Sequence, residues 1–260
     1  MSIRPFDAVV FDLDGVIVDT EDSVFEAWCT VFRRHACELS LEDWNRTVGS
    51  AEGGRVVYEL LCARASGAVA PREVLRAEIR DLQHDLFETM RPMAGVVEWV
   101  LEARALGLGL AVASSSFEEW VRRCLATVRL EQAFSSVHRP DERHAAKPAP
   151  DLYLAACRSL GVEPARAFAV EDSHNGLRAA LAAGLRCVVV PNAITHGADF
   201  SEAHHRLSSL GELTLAEAME ILASSPLSSP LAWPHGDLAG DHLSAQHPYL
   251  LRGADRPQGP

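Results

Sequence analysis

The sequence predicts an α/β protein: a doubly wound parallel sheet with an all-helical domain inserted after its first strand. Three observations predict it. The apolar run Ala8-Val9-Val10-Phe11 stops at Asp12-Leu13-Asp14-Gly15, as a strand buried on both faces would. From Thr20 to about Thr89, apolar residues recur at helical spacing and no strand is evident. From Pro92 onward, apolar runs of strand length alternate with helical stretches, the pattern of βαβ units whose right-handed crossovers wind a sheet on both faces.

In chain order, Asp19 or Thr20 is placed to cap a helix that carries Val24, Phe25, Trp28, Val31 and Phe32 on one side. Leu41 and Trp44 belong to a shorter helix. Val56, Val57, Leu60 and Leu61 mark a third, and Val74, Leu75, Ile79, Leu82 and Leu86 a fourth, with Pro71 suited to its first turn. Past Pro92, helices are expected over Val96 to Ala105, Glu118 to Val128, Leu152 to Leu160 and Gly176 to Ala183. Strands are expected over Leu108 to Ala113, Phe134 to Val137, Ala167 to Val170 and Cys187 to Val190. Residues 1–16 and 93–223 then form the α/β core and 17–92 the helical cap. Residues 224–260, rich in Ser, Pro, Gly and His, read as a disordered tail, in which His235, His242 and His247 lack metal-site spacing.

Composition narrows the partners. The chain has 260 residues, 48% of them hydrophobic, enough for a substantial core. With 24 Lys and Arg against 36 Asp and Glu the net charge is −12, which argues against nucleic acid and anionic membranes but not against a small phosphorylated metabolite. No stretch is long enough to span a bilayer and no signal-like segment precedes the first strand, so a cytoplasmic location is expected. The six cysteines show no CxxC pair and read as reduced core thiols. Monomer is the default expectation.

The first strand ends in two carboxylates two residues apart, hence on the same side, where ligands of open α/β sheets bind. Desolvation and mutual repulsion disfavour such a pair, and a divalent cation would relieve both. Three further segments bring polar residues to strand ends or helix starts of the same edge: Val112-Ala113-Ser114-Ser115, Lys147-Pro148, and Val170-Glu171-Asp172-Ser173.

DxDG, a strand-end Ser, Lys-Pro and EDS, in that order, resemble the haloacid dehalogenase superfamily of aspartate-nucleophile phosphotransferases over residues 7 to 222. The resemblance implies that Asp12 is the nucleophile and Asp14 the general acid and base. It implies a Mg²⁺ site formed by Asp12, the Asp14 carbonyl, Glu171 and Asp172. Lys147 would neutralise the nucleophile, and Ser114 with Ser115 would hold phosphoryl oxygens. Ser116 reads as the cap of the next helix, Asn175-Gly176 as a turn that holds Lys147 or the acidic loop, and His174 as solvent-facing. Gly15 to Asp19 and Met90 to Gly95 resemble the hinges of an α-helical cap, whose glycine-rich loop Gly49-Ser50-Ala51-Glu52-Gly53-Gly54-Arg55 would read the substrate. There Gly49 and Arg55 are the candidate contacts, and Arg55 or Arg46 is placed to hold a second anionic group.

Asp19-Thr20-Glu21 and Lys147-Pro148-Ala149-Pro150-Asp151 are similar to the branch containing β-phosphoglucomutase and sugar-phosphate phosphatases. The mutase's cap histidine is replaced by Val24, its Lys-Asn by Phe117-Glu118 and its cap arginine by Glu52. The expectation is a Mg²⁺-dependent phosphatase, with a phosphosugar mutase as the alternative. Asp14 stands against halide displacement, which lacks a second aspartate.

Overall fold

The structure is a computed structural model that describes residues 4–48, 53–82 and 86–226. Six strands form one parallel sheet: β1 (Ala8–Phe11), β2 (Gly109–Ala113), β3 (Ser136–His138), β4 (Ala167–Glu171), β5 (Arg186–Val189) and β6 (His205–Arg206). Their order is β3-β2-β1-β4-β5-β6, so the chain reverses its winding direction at β1. A crevice opens at the carboxyl ends beside such a switch point.

Alternation along the strands sorts two cores. Val9, Phe11, Leu110, Val112, Phe168, Val170 and Val188 face one side, packed with Val96, Trp99 and Val100 of α6 (Val96–Ala105), and with Val121 and Leu125 of α7 (Glu118–Thr127). Ala8, Val10, Ala111, Ala113, Ala167 and Ala169 face the other, against α8 (Asp151–Leu160) and α9 (His174–Ala182). The small residues on that second face let α8 and α9 lie close to the sheet. Buried Trp99 satisfies its indole N–H on the Leu213 carbonyl at 2.9 Å, where an orphaned donor would cost about 1–3 kcal/mol.

Among the described residues five helices lie between β1 and α6: α1 (Glu21–Arg34), α2 (Leu41–Asn45), α3 (Gly53–Arg64), α4 (Arg72–Leu82) and α5 (Leu86–Thr89). The first four, α1 to α4, share a core of Trp28, Val31, Phe32, Trp44, Val57, Leu61, Leu75 and Ile79. The two segments joining this cap to the sheet run side by side, with Val18 bridged to Pro92 and Met93 N donating to Ile17 O at 2.9 Å.

Several expectations need correction. Val56, Val74 and Leu82 are exposed, because the cap's helices are thin layers with a single buried stripe each. The fourth predicted helix is described as α4 up to Leu82 and as α5 from Leu86, with 83–85 outside the described residues. The β6 strand and α10 (Leu215–Ser224) complete the core beyond the predicted elements. All six cysteines are free as expected, but only Cys124, Cys157 and Cys187 are buried and Cys62 is exposed. Residues 227–260, which hold the three tail histidines, lie outside the described residues. Among the described residues no helix is long and apolar enough to cross a membrane.

Candidate active site

Strand register delivers the polar residues to one place. Phe11 is level with Val112 and with Val170. The next residues, Asp12, Ala113 and Glu171, therefore stand abreast at the carboxyl edge, and Asp12 N donates to Val170 O at 2.9 Å. Asp12, Lys147, Glu171 and Asp172 are all buried.

Lys147 comes from the loop before α8 and joins two of these carboxylates. Its Nζ donates to Asp12 Oδ1 and to Glu171 Oε1, both at 2.6 Å. The Tyr153 hydroxyl on α8 donates to the same Glu171 oxygen, and Ser173 Oγ donates to Oε2 at 3.2 Å. Glu171 thus accepts from Lys147, Tyr153 and Ser173 at once. Gly176 gives this carboxylate its space, since a Cβ there would lie 1.9 Å from Oε2.

Burial pushes the Asp12 carboxyl up to about 8; Lys147 pulls it down, while Glu171 and Asp14 add to the rise. Burial works against the Lys147 ammonium as well, but Asp12 and Glu171 outweigh it and hold that group above the usual amine value. Burial, then Glu171, raises the Tyr153 hydroxyl far above its ordinary value, so it stays a donor.

Carboxylate oxygens of Asp12, Glu171 and Asp172 lie within 4.8 Å of one another. Three carboxylates against one ammonium make an all-oxygen, net-negative cluster, which fits a hard divalent cation. Asp172 Oδ2 is fixed by Asn192 Nδ2 at 2.8 Å. Gly15 passes over it at φ +78°, where a Cβ would lie 2.1 Å from Oδ2, so both the backbone conformation and the contact require glycine.

Asp14 has its own donors. Oδ1 accepts from Thr20 Oγ1 and Trp120 Nε1, each at 2.7 Å. Oδ2 accepts from Ser116 Oγ at 2.7 Å and, at 3.4 Å, from Ser114 Oγ. This corrects two capping assignments. Thr20 occupies the N-cap of α1 without a side-chain cap bond, and Phe117, not Ser116, is the N-cap of α7. Both hydroxyls donate to the Asp14 carboxylate, a charged acceptor that makes a stronger bond than a neutral one. Trp120 was missed because nothing local in the sequence ties it to Asp14.

A cavity of about 540 Å³ lies between cap and core. Asp12, Asp14 and Asp172 reach it, and Ser115 and Arg55 line it; Ser114, Lys147 and Glu171 stand behind its wall. Gly49 falls outside the described residues. Arg46 pairs with Glu42 at 2.6 Å and is not in the cavity wall, which corrects that assignment. The wall instead contains Arg72, Arg76 and Arg80, at i, i+4 and i+8 on α4, with Arg139 across from the core. That spacing was a readable signal. Asn175 does not hold Lys147: its Nδ2 donates to Val48 O of the cap at 2.7 Å. His174 bonds the Asp199 carbonyl at 2.8 Å.

A family model for haloacid dehalogenase-like hydrolases matches residues 6–184. The chain belongs to that family. Among haloacid dehalogenase-like relatives, YhcW of Bacillus subtilis is 36% identical over 221 residues, covering 84% of this chain and 98% of YhcW. Hexitol phosphatase B of Escherichia coli K12 is 30% identical over 216 residues, 82% of this chain and 96% of that protein. A crystal structure of a CbbY variant from Rhodobacter sphaeroides in complex with xylulose-(1,5)bisphosphate aligns with a TM-score of 0.68 at 28% identity. It covers 80% of this chain and 96% of that one. The sheet order and inserted helices described above are those of this hydrolase family's α/β fold with a cap.

Proposed function

We propose that this hydrolase is a Mg²⁺-dependent phosphatase that removes a phosphoryl group from a small sugar-phosphate-like metabolite through an aspartyl phosphate on Asp12. The observation that carries the reading is the buried Lys147–Asp12 pair at 2.6 Å, set at the base of a cavity that Asp14 also enters. Asp12 attacks phosphorus in line as the P–O bond to the leaving group breaks, and Asp14 delivers a proton to the departing oxygen. Asp14 then takes a proton from the water that attacks phosphorus as its bond to the Asp12 oxygen breaks, which frees the Asp12 carboxylate and releases inorganic phosphate. Lys147 neutralises and orients Asp12, Glu171 anchors Lys147, and Ser115 in the cavity wall receives phosphoryl oxygens. Asp12, the Asp14 carbonyl and Asp172, with Glu171 behind them, would hold the cation, which when bound neutralises charge on the phosphoryl group.

Three arginines of α4 make one cavity wall cationic in a chain of net charge −12. That wall suits a substrate with a second anionic group, and the CbbY complex with a bisphosphorylated ketose supports the reading. Val24, in the cavity wall where the mutase-like branch carries a histidine, offers no proton relay, which favours hydrolysis over phosphoryl return to a second hydroxyl.

Purified protein assayed for inorganic phosphate against phosphorylated metabolites, with Mg²⁺ or with EDTA, tests this. Release is expected only with Mg²⁺, with kcat/KM for xylulose 1,5-bisphosphate at least about 10-fold above that for xylulose 5-phosphate, since charge-assisted hydrogen bonds are worth about 1.5–3 kcal/mol. Full activity in EDTA, or conversion of β-glucose 1-phosphate to glucose 6-phosphate without phosphate release, would overturn it.

A further inference from the structure

We propose that Trp120 is a positioning residue that sets which oxygen of Asp14 carries the catalytic proton. The inference rests on the phosphatase reading above, with Asp14 as the acid. An indole N–H only donates. Bonded at 2.7 Å to Oδ1, it keeps that oxygen an acceptor, which leaves the transferable proton to Oδ2, beside hydroxyls that either give or take a hydrogen bond. When the ester P–O bond breaks, its electron pair passes to the leaving oxygen. That oxygen takes the proton from Oδ2, and the Asp14 carboxylate so formed has its new charge met by Trp120, Thr20 and Ser116.

The ring is held in place by aromatic contacts. Phe87 of α5, directly before the segment that returns from cap to core, meets Trp120 edge-on at 5.4 Å and 73°. Phe117 packs against the Trp120 ring at 6.3 Å and 41°, and Arg123 lies 3.6 Å over the Phe87 ring.

The test uses two probes that differ in how much they need a proton, phenyl phosphate and p-nitrophenyl phosphate. Trp120→Phe keeps the aromatic packing and removes the N–H. Its kcat on phenyl phosphate is expected to fall about 10-fold or more, with less than about 3-fold loss on p-nitrophenyl phosphate and KM within about 2-fold, because acid catalysis matters in proportion to leaving-group basicity. In an Asp14→Asn background, where no acid remains to position, the same substitution should change either rate by less than about 2-fold. A thermal melt shows whether the variant is folded. Equal losses on both probes, no loss on either, or a full further loss in the Asp14→Asn background would overturn the proposal. A wild-type enzyme that hydrolyses neither probe would instead overturn the phosphatase reading on which it stands.

Discussion

Asp12 is a carboxylate held where a carboxylate is costly. Its folded-state value near 8 lies above the ordinary 3.8, chiefly through burial. The folded chain therefore binds this proton more tightly than the unfolded chain does, and the mismatch removes stability as pH rises from about 4 through 8. A divalent cation requires the ionised form and counters the loss. The stabilisation of the protein by Mg²⁺, read as a shift in Tm by scanning calorimetry, should accordingly grow between pH 5 and pH 8 and lose that growth in Asp12→Asn. A shift that is constant or shrinks with pH would contradict the account of Asp12.

At the scale of elements, the site depends on close approaches that only glycine allows. The first turn of α9 passes so near Glu171 that a Cβ at Gly176 would overlap its carboxylate. Gly176→Ala must push Glu171 off Lys147. Because misplacement of about 1 Å can cost 10²-fold, kcat should drop by about that factor. Gly197→Ala, whose Cβ meets nothing within 4 Å, should change stability by less than about 0.5 kcal/mol. Steady-state kinetics and melts on the two variants check both outcomes. The strand ends and most of the helices were legible because period and punctuation are local: Asp12, Lys147, Glu171 and Asp172 sit in segments whose pattern announces a strand end or a helix start. The β6 strand has two residues, too few to show a period. The start of α10 carried a readable sign in Thr214 and Glu217, which form a capping box. The partners of Asp14 were not legible, because Ser116 and Trp120 come from more than 100 residues away and Ser116 is equally suited to a cap.

Across the whole molecule, cap and core meet around a cavity whose carboxylates come from the core and whose α4 arginines come from the cap, with Arg139 of the core opposite. The core contributes Asp12, Asp14 and Asp172, and α4 of the cap contributes Arg72, Arg76 and Arg80. The Asn175–Val48 hydrogen bond ties the two, as does Ile194 of the core, which joins the cap's apolar cluster. An anionic ester entering this space would meet the arginines with one end and Asp12 with the other. The central claim is that phosphorus is transferred to Asp12 before water receives it. Acid-quenched turnover of p-nitrophenyl phosphate with Mg²⁺, followed by peptide mass spectrometry, tests it most directly. The account predicts a phosphoryl adduct on Asp12 that is labile to base and absent in Asp12→Asn. Turnover with no adduct in the wild type, or undiminished turnover in Asp12→Asn, would contradict it.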